Sequence, residues 1–246
     1  MRNLKLTIAY DGTAYNGWQI QPNGTTIQEE LEKTAFRFSR ERCHNMDGSG
    51  RTDAGVHAWG QVASWPYAGN LPLARIQAAF NSLLPPDIRV RQIVEKPSLF
   101  HARKSSRTKT YLYVIYNTLY ANPLTLRYTW HIRQPLNLDL LNQASTFLVG
   151  QHDFNSFKAA DGNTASSVRT ILQVRWCRRG HYLLCFVKGD GFLKNMVRII
   201  VGTLVEFGRG KYPPAAMSAI INARQRHAAG ITAPAHGLVL RSVDYD

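Results

Sequence analysis

The sequence predicts an α+β fold, with helices on one face of a largely antiparallel sheet. Three observations predict it. Apolar residues alternate with period two in several short runs and recur at helical spacing in others. The runs are joined partly by hairpins and partly by helices. The order of elements is also similar in the two halves of the chain, each opening and closing on a strand, although no repeat of letters is visible. Two related α/β halves, residues 1–103 and 104–246, could then share one sheet with a cleft between them.

The elements follow in order. Leu4, Leu6, Ile8 and Tyr10 alternate with Lys5, Thr7 and Ala9, the pattern of a half-buried strand, which Asp11-Gly12 ends. Thr26-x-x-Glu29 has the form of a capping box, and Ile27, Leu31, Ala35 and Phe38 continue as a helical stripe. Val56 to Trp65 reads as a strand stopped by Pro66. Leu73–Leu84 reads as a helix stopped by Pro85-Pro86, and Ile88, Val90 and Gln92 as a further strand. Pro97–Lys109 is polar, basic and without pattern, and reads as the link between the halves. Thr110 to Tyr116 is a fully apolar strand, and Leu136–Leu148 a helix. Val168–Cys177 and Tyr182–Lys188 flank Arg178-Arg179-Gly180-His181, a hairpin with a basic tip. Leu193, Met196, Val197, Ile200, Val201, Leu204 and Val205 form the clearest helical stripe, with Gly208 as its expected C-cap. Pro213–Arg224 reads as a helix with proline at its start, and Leu238 to Val243 closes the chain as a strand.

Composition bounds the function. The chain has 246 residues, 44% hydrophobic and 11% aromatic, enough for a core, so global disorder is excluded. No apolar run approaches the ~18 residues of a membrane span. The opening Met1-Arg2-Asn3-Leu4-Lys5-Leu6 lacks the apolar stretch of a signal peptide, so a soluble, cytoplasmic protein is expected. Three cysteines (Cys43, Cys177, Cys185) without a C-x-x-C argue against a disulfide framework or a zinc site.

The net charge of +14 points to a polyanion, most simply a nucleic acid. The charge is uneven: residues 1–95 carry a net +1 and residues 96–246 a net +13, with no Asp or Glu from Lys96 to Leu138. Charge alone would give salt-sensitive, sequence-blind binding.

The chemistry is narrowed by elimination. The 16 acidic residues are scattered rather than paired to hold two metals. The zinc deaminase signature, G-K-[ST] and G-x-S-x-G are absent. Gly189-Asp190-Gly191 sits where a dinucleotide turn would, but Lys194 occupies the third glycine position. A tight turn into a helix whose start, with Lys194, contacts phosphate fits better. Lys194 and Arg198 lie four apart off the apolar stripe, either on a solvated face or with Arg198 aimed at a distant carboxylate.

The most unusual segment is Gly48-Ser-Gly-Arg-Thr-Asp-Ala-Gly-Val-His57. Taken alone it reads as an exposed turn in which Asp53 bonds its own backbone. The competing reading is a carboxylate held ionised beside Arg51 and able to act as a nucleophile.

Within it, Gly50-Arg51-Thr52-Asp53-Ala54-Gly55-Val56-His57-Ala58 resembles the tRNA pseudouridine synthase A family. The likeness runs nearly the whole length. It continues through Gly17-Trp18-Gln19, Gln21-Pro22-Asn23, Phe100-His101-Ala102-Arg103 and Lys109-Thr110-Tyr111-Leu112-Tyr113. It is carried further by His152-Asp153-Phe154, Arg169-Thr170, Phe192-Leu193 with Met196-Val197-Arg198, and Thr232-Ala233-Pro234.

The resemblance implies the pseudouridine synthase fold, with a central basic cleft. It implies isomerisation of uridine to pseudouridine at positions 38 to 40 of the tRNA anticodon stem-loop, without metal or nucleotide cofactor, by a homodimer whose subunits both touch each tRNA. Asp53 matches the catalytic carboxylate, Arg198 its cationic partner and Tyr111 the residue that packs on the target base. Arg51 matches a residue that helps extrude that base. Arg103, Lys104, Arg107, Lys109, Arg178, Arg179 and Lys194 are the expected grip on the RNA backbone. A non-catalytic RNA binder, or a synthase for other RNA uridines, remains the alternative.

Overall fold

The computed structural model describes residues 1–39, 46–162 and 164–245; Cys43 lies outside them. The chain divides into two compact units, Met1–Arg107 with Leu240–Asp246, and Thr108–Val239. Among the described residues the fold is mixed α and β, with a large, mostly antiparallel sheet and five helices. No helix is long and apolar enough to cross a membrane.

In the first unit, β1 (Arg2–Tyr10) pairs antiparallel with β3 (His57–Tyr67) on one side and β4 (Ile88–Lys96) on the other. The two-residue β2 (Asp47–Gly48) adds to β3. The last strand, β10 (Leu238–Asp244), which belongs to this unit from Leu240 on, is the other neighbour of β3. The expected alternation holds: Leu4, Leu6, Ile8 and Tyr10 are buried.

Helices α1 (Ile27–Ser39) and α2 (Leu73–Leu83) supply the apolar cover. Ile27, Leu31 and Ala35 are fully buried, and Phe38 joins an edge-to-face cluster with Trp65 and Phe80 at centroid distances of 5.0–6.1 Å. Burying each such side chain contributes about 1.5–3 kcal/mol. Half of the expected capping box forms. Thr26 Oγ1 accepts from the Glu29 N–H at 3.4 Å, while the Glu29 carboxylate meets Lys33 at 2.7 Å.

Two proline expectations divide. Pro85-Pro86 does end α2, forcing Leu84 into extended backbone (φ −69°, ψ 148°). Pro66 does not stop β3: it pairs in register with Asn3, exposed between buried Trp65 and Tyr67. Proline's φ suits a strand and removes only one donor, and burial of the aromatic residue beyond it carries the strand on.

The second unit is built on β5 (Thr108–Asn117), β9 (Tyr182–Gly189), β8 (Val168–Arg179) and β7 (Gly150–Asp153), neighbours in that order and antiparallel. The short β6 (Trp130–Ile132) runs parallel to β5. The letters of β5 are apolar throughout, but the strand alternates: Lys109, Tyr111, Tyr113, Ile115 and Asn117 are buried and the residues between are half-buried. The hairpin between β8 and β9 has a turn of only Gly180-His181, because Arg179 pairs with Tyr182. Arg178 and Arg179 therefore lie on the strand rather than at a tip.

Helices α3 (Leu138–Thr146), α4 (Met196–Gly208) and α5 (Ala216–Ala223) complete the unit. Six of the seven stripe residues lie on α4 and are buried, Leu193 is buried just before the helix, and nearly every other residue of α4 is buried too, the mark of a central helix. Gly208 is not its cap. A Cβ there would meet Leu141 Cδ2 at 2.9 Å, so Gly208 is where α3 packs closely. The cap is Gly210 at φ 76°: its N–H donates to Phe207 O and the Lys211 N–H to Glu206 O, a Schellman arrangement.

Candidate active site

In the first unit the residues around Asp53 form an irregular segment held by its backbone. The Ser49 N–H donates to Val62 O at 2.7 Å and Ser49 Oγ to Gln61 Oε1 at 2.7 Å, and Gln61 Nε2 returns to Gly50 O at 2.9 Å. The Trp18 N–H donates to Thr52 O at 3.1 Å, and the Tyr10 hydroxyl lies 2.8 Å from Thr52 Oγ1. Burial pushes the Tyr10 phenol above its usual pKa, so it remains a neutral hydrogen-bonding group.

Asp53 itself opens a turn. The Val56 N–H donates to Asp53 O at 3.1 Å, with Gly55 at φ 75° in the third position, where a left-handed residue is required. The Asp53 side chain is half-buried and Arg51 is exposed. The segment is thus a turn, as its glycines indicate, but one clamped from both sides with a carboxylate presented on it.

His57, at the start of β3, is buried, and its Nδ1 lies 3.1 Å from both the Gly12 N–H and Asp11 Oδ1. That ties it to the turn after β1, a structural role. His101 is half-buried, its Nδ1 accepting from the Arg103 N–H at 3.2 Å and its Nε2 lying 3.5 Å from Asp47 Oδ2.

In the second unit Tyr111 is buried on β5, its ring edge-on to Phe192 at 5.1 Å. Tyr113, on the same face, donates to Pro234 O at 2.8 Å, and burial raises its pKa above the usual range. Arg198 leaves α4 half-buried. Its Nε donates to Ala233 O at 2.7 Å and its Nη1 to Asn195 Oδ1 at 3.0 Å. Asn195 holds a left-handed conformation (φ 61°), which asparagine tolerates better than other side chains. His236 is held below its usual pKa by burial and by the Arg198 charge, against a backbone hydrogen bond to Thr129. Tyr111, Tyr113, Phe192, Arg198 and His236 thus make an aromatic and cationic group around the start of α4.

The expected RNA-binding residues are not alike. Arg103, Lys104 and Arg107 are exposed. Their segment is no loose tether. Asn3 Nδ2 donates to Phe100 O at 2.7 Å, Tyr245 to Ala102 O at 2.6 Å and the Arg107 N–H to Asp244 O at 3.0 Å. Arg178 and Arg179 are exposed on β8, with Arg178 Nη2 on Leu136 O at 3.1 Å. Lys109 is buried on β5 beside Tyr111, so it is not a surface cation. Lys194 lies in a turn before α4, not on it, and pairs with Asp161 at 2.6 Å. The helix begins only at Met196, so Gly189–Gly191 is a turn into an irregular stretch. Asp190 there bonds Thr170, and Lys194 does not lie on the first turn of α4, where it was expected.

Sequence reasoning missed the clamps, Tyr10, Trp18 and Gln61. Gln61, fully buried mid-strand, was the one visible signal, since a buried amide needs partners.

Comparison with known proteins places these residues in a family. The profile of the tRNA pseudouridine synthase family matches residues 6–103 and 144–246. A tRNA pseudouridine synthase A of Geotalea daltonii is 44% identical over 245 residues, covering 100% of both chains. One from Moorella thermoacetica is 45% identical over 244 residues, 98% of this chain and 99% of its own. One from Halalkalibacterium halodurans is 44% identical over 239 residues, 97% and 91% respectively. A chain in the crystal structure of a Cbf5-Nop10-Gar1 complex aligns over 82% of this chain and 54% of that one at 11% identity and TM-score 0.33, too loose a likeness to carry an argument. One matched stretch contains the Asp53 turn and the other the Arg198 helix, and the chain belongs to the tRNA pseudouridine synthase family.

Proposed function

We propose that this protein is an isomerase that converts uridine to pseudouridine in tRNA, at positions 38–40 of the anticodon stem-loop. The C1′–N1 bond breaks, the uracil turns while held, C5 bonds to C1′, and the C5 proton leaves as N1 gains one. Atoms balance without a redox partner. Asp53 is the catalytic carboxylate, either attacking C1′ or assisting a glycal-type path. Arg198 is its cationic partner, and its guanidinium is already fixed at two nitrogens by Ala233 and Asn195.

Tyr111 packs on the flipped base. As a proton acceptor at C5, a phenol with a pKa of about 10 would need local tuning. Arg51, exposed two residues before Asp53, is suited to extrude the base, because flipping costs a few kcal/mol of stacking. The protein acts in the cytoplasm as a homodimer whose subunits both touch the tRNA.

The observation that carries this reading is the Asp53 turn: a half-buried carboxylate on a segment clamped by Tyr10, Trp18 and Gln61. A pure RNA binder gains nothing from a carboxylate set where phosphate must approach. Asp53→Asn is expected to bind tRNA and form no pseudouridine, read by chromatography of digested tRNA. Retained turnover contradicts the role of Asp53.

A further inference from the structure

The strand pairings around β1 contain two irregularities at one level. Between Ile8 and Tyr10, β3 advances three residues, Gln61 to Ala58, for two on β1. Between Thr7 and Ile8, β4 advances two, Gln92 to Val90, for one on β1. Each flanking strand thus carries one extra residue beside the same stretch of β1, Trp59-Gly60 on one side and Arg91 on the other. A bulge re-aims a side chain, and here two do so toward each other. The Arg91 guanidinium lies 4.2 Å from the Trp59 ring centroid and its Nη1 donates to Trp59 O at 2.8 Å.

This pair is on the face away from the helices. Leu4 pairs with Trp65, which packs on Phe38 and Phe80, so Leu4, Leu6 and Ile8 face the helices. Lys5, Thr7 and Ala9 therefore face the other way, as does Arg89, the β4 partner of Ala9. Trp59 remains 59% exposed although a guanidinium covers part of it. β1 and residues 88–94 carry Arg2, Lys5, Arg89 and Arg91, β3 carries no Lys or Arg, and Asp11 and Asp87 flank the ends of β1 and β4 nearer Trp59. There is no Asp or Glu in Arg2–Tyr10, His57–Tyr67 or residues 88–94. Glu95, just beyond, is bound to Arg2. Burial and the nearby Lys96 charge both lower the pKa of Lys5.

We infer that Trp59 and Arg91 form a stacking platform for an unpaired base of the tRNA. An exposed indole backed by a guanidinium offers a face on which any base stacks, and the cations match the RNA backbone. The platform stands on β3, the strand that follows the Asp53 turn. This rests on the functional reading above and adds to it a binding residue outside the reacting group.

The test measures dissociation constants of full-length tRNA for wild type, Trp59→Ala and Trp59→Phe, at one salt concentration and well below each melting temperature. Losing the stack weakens binding by about tenfold or more, whereas phenylalanine keeps it within about threefold of wild type. In turnover, the loss falls on KM rather than kcat. Trp59→Ala binding like wild type, or Trp59→Phe as weak as Trp59→Ala, overturns the inference. Wild-type protein that binds tRNA without forming pseudouridine overturns the functional reading instead, and the Trp59 comparison still stands on binding.

Discussion

At the scale of single residues the carboxylate proposed for catalysis, Asp53, sits on a turn held by groups from other elements. Tyr10 is an example: its hydroxyl holds Thr52, the residue before Asp53, inside the fold. Tyr10→Phe leaves the buried Thr52 hydroxyl without that partner, at a cost of about 1–3 kcal/mol. It is expected to lower both the melting temperature and kcat while tRNA affinity holds; an unchanged kcat would show that the clamp does not position Asp53. In the sequence the three glycines around Arg51 and Asp53 mark the segment as unusual, but alone it reads as an exposed turn, and the family resemblance is what singles out Asp53. Its clamps were not legible there, because hydrogen bonds between Tyr10 and Thr52 or between Gln61 and Gly50 join positions far apart and leave no local pattern. Lys109 and Lys194 show the opposite limit. Both are cations in the sequence, yet one is buried and the other is bound to Asp161.

At the scale of elements, periodicity served best where the run was long. The α4 stripe is buried at every predicted position. The short β6 and β7, of three and four residues, are too brief to show a period. Ends were harder than middles, because a cap depends on φ rather than on letter. Gly208 and Gly210 are both glycines, but only Gly210 is left-handed. Gly210→Ala is expected to destabilise by about 1–2 kcal/mol, since an L-residue is strained there. A melting temperature lower by roughly 2–8 °C, as expected for a chain of this size, would follow. Gly210→Asn should lose less, because asparagine tolerates that conformation. Equal losses in the two variants would show that φ is not what selects glycine.

At the scale of the whole molecule, charge was legible and topology only in part. The net +13 after residue 95 marks a polyanion binder from composition alone. That the last strand returns to the first unit from Leu240 on has no signature in composition or spacing. The charge makes tRNA affinity fall linearly with the logarithm of salt concentration. Replacing exposed Lys104 or Arg107 by Ala should weaken binding to all tRNAs alike and reduce the slope by about one each, if each meets a phosphate. An unchanged slope would remove that residue from the RNA contact.

The central claim is that the protein moves the glycosidic bond of uridine from N1 to C5. The most direct measurement is release of tritium from tRNA labelled at uridine C5, because the C5 hydrogen must leave when C5 bonds C1′. Wild type is expected to release one tritium per pseudouridine formed, only from anticodon-arm uridines, and Asp53→Asn none. No release from any tRNA by the wild-type protein would contradict the account.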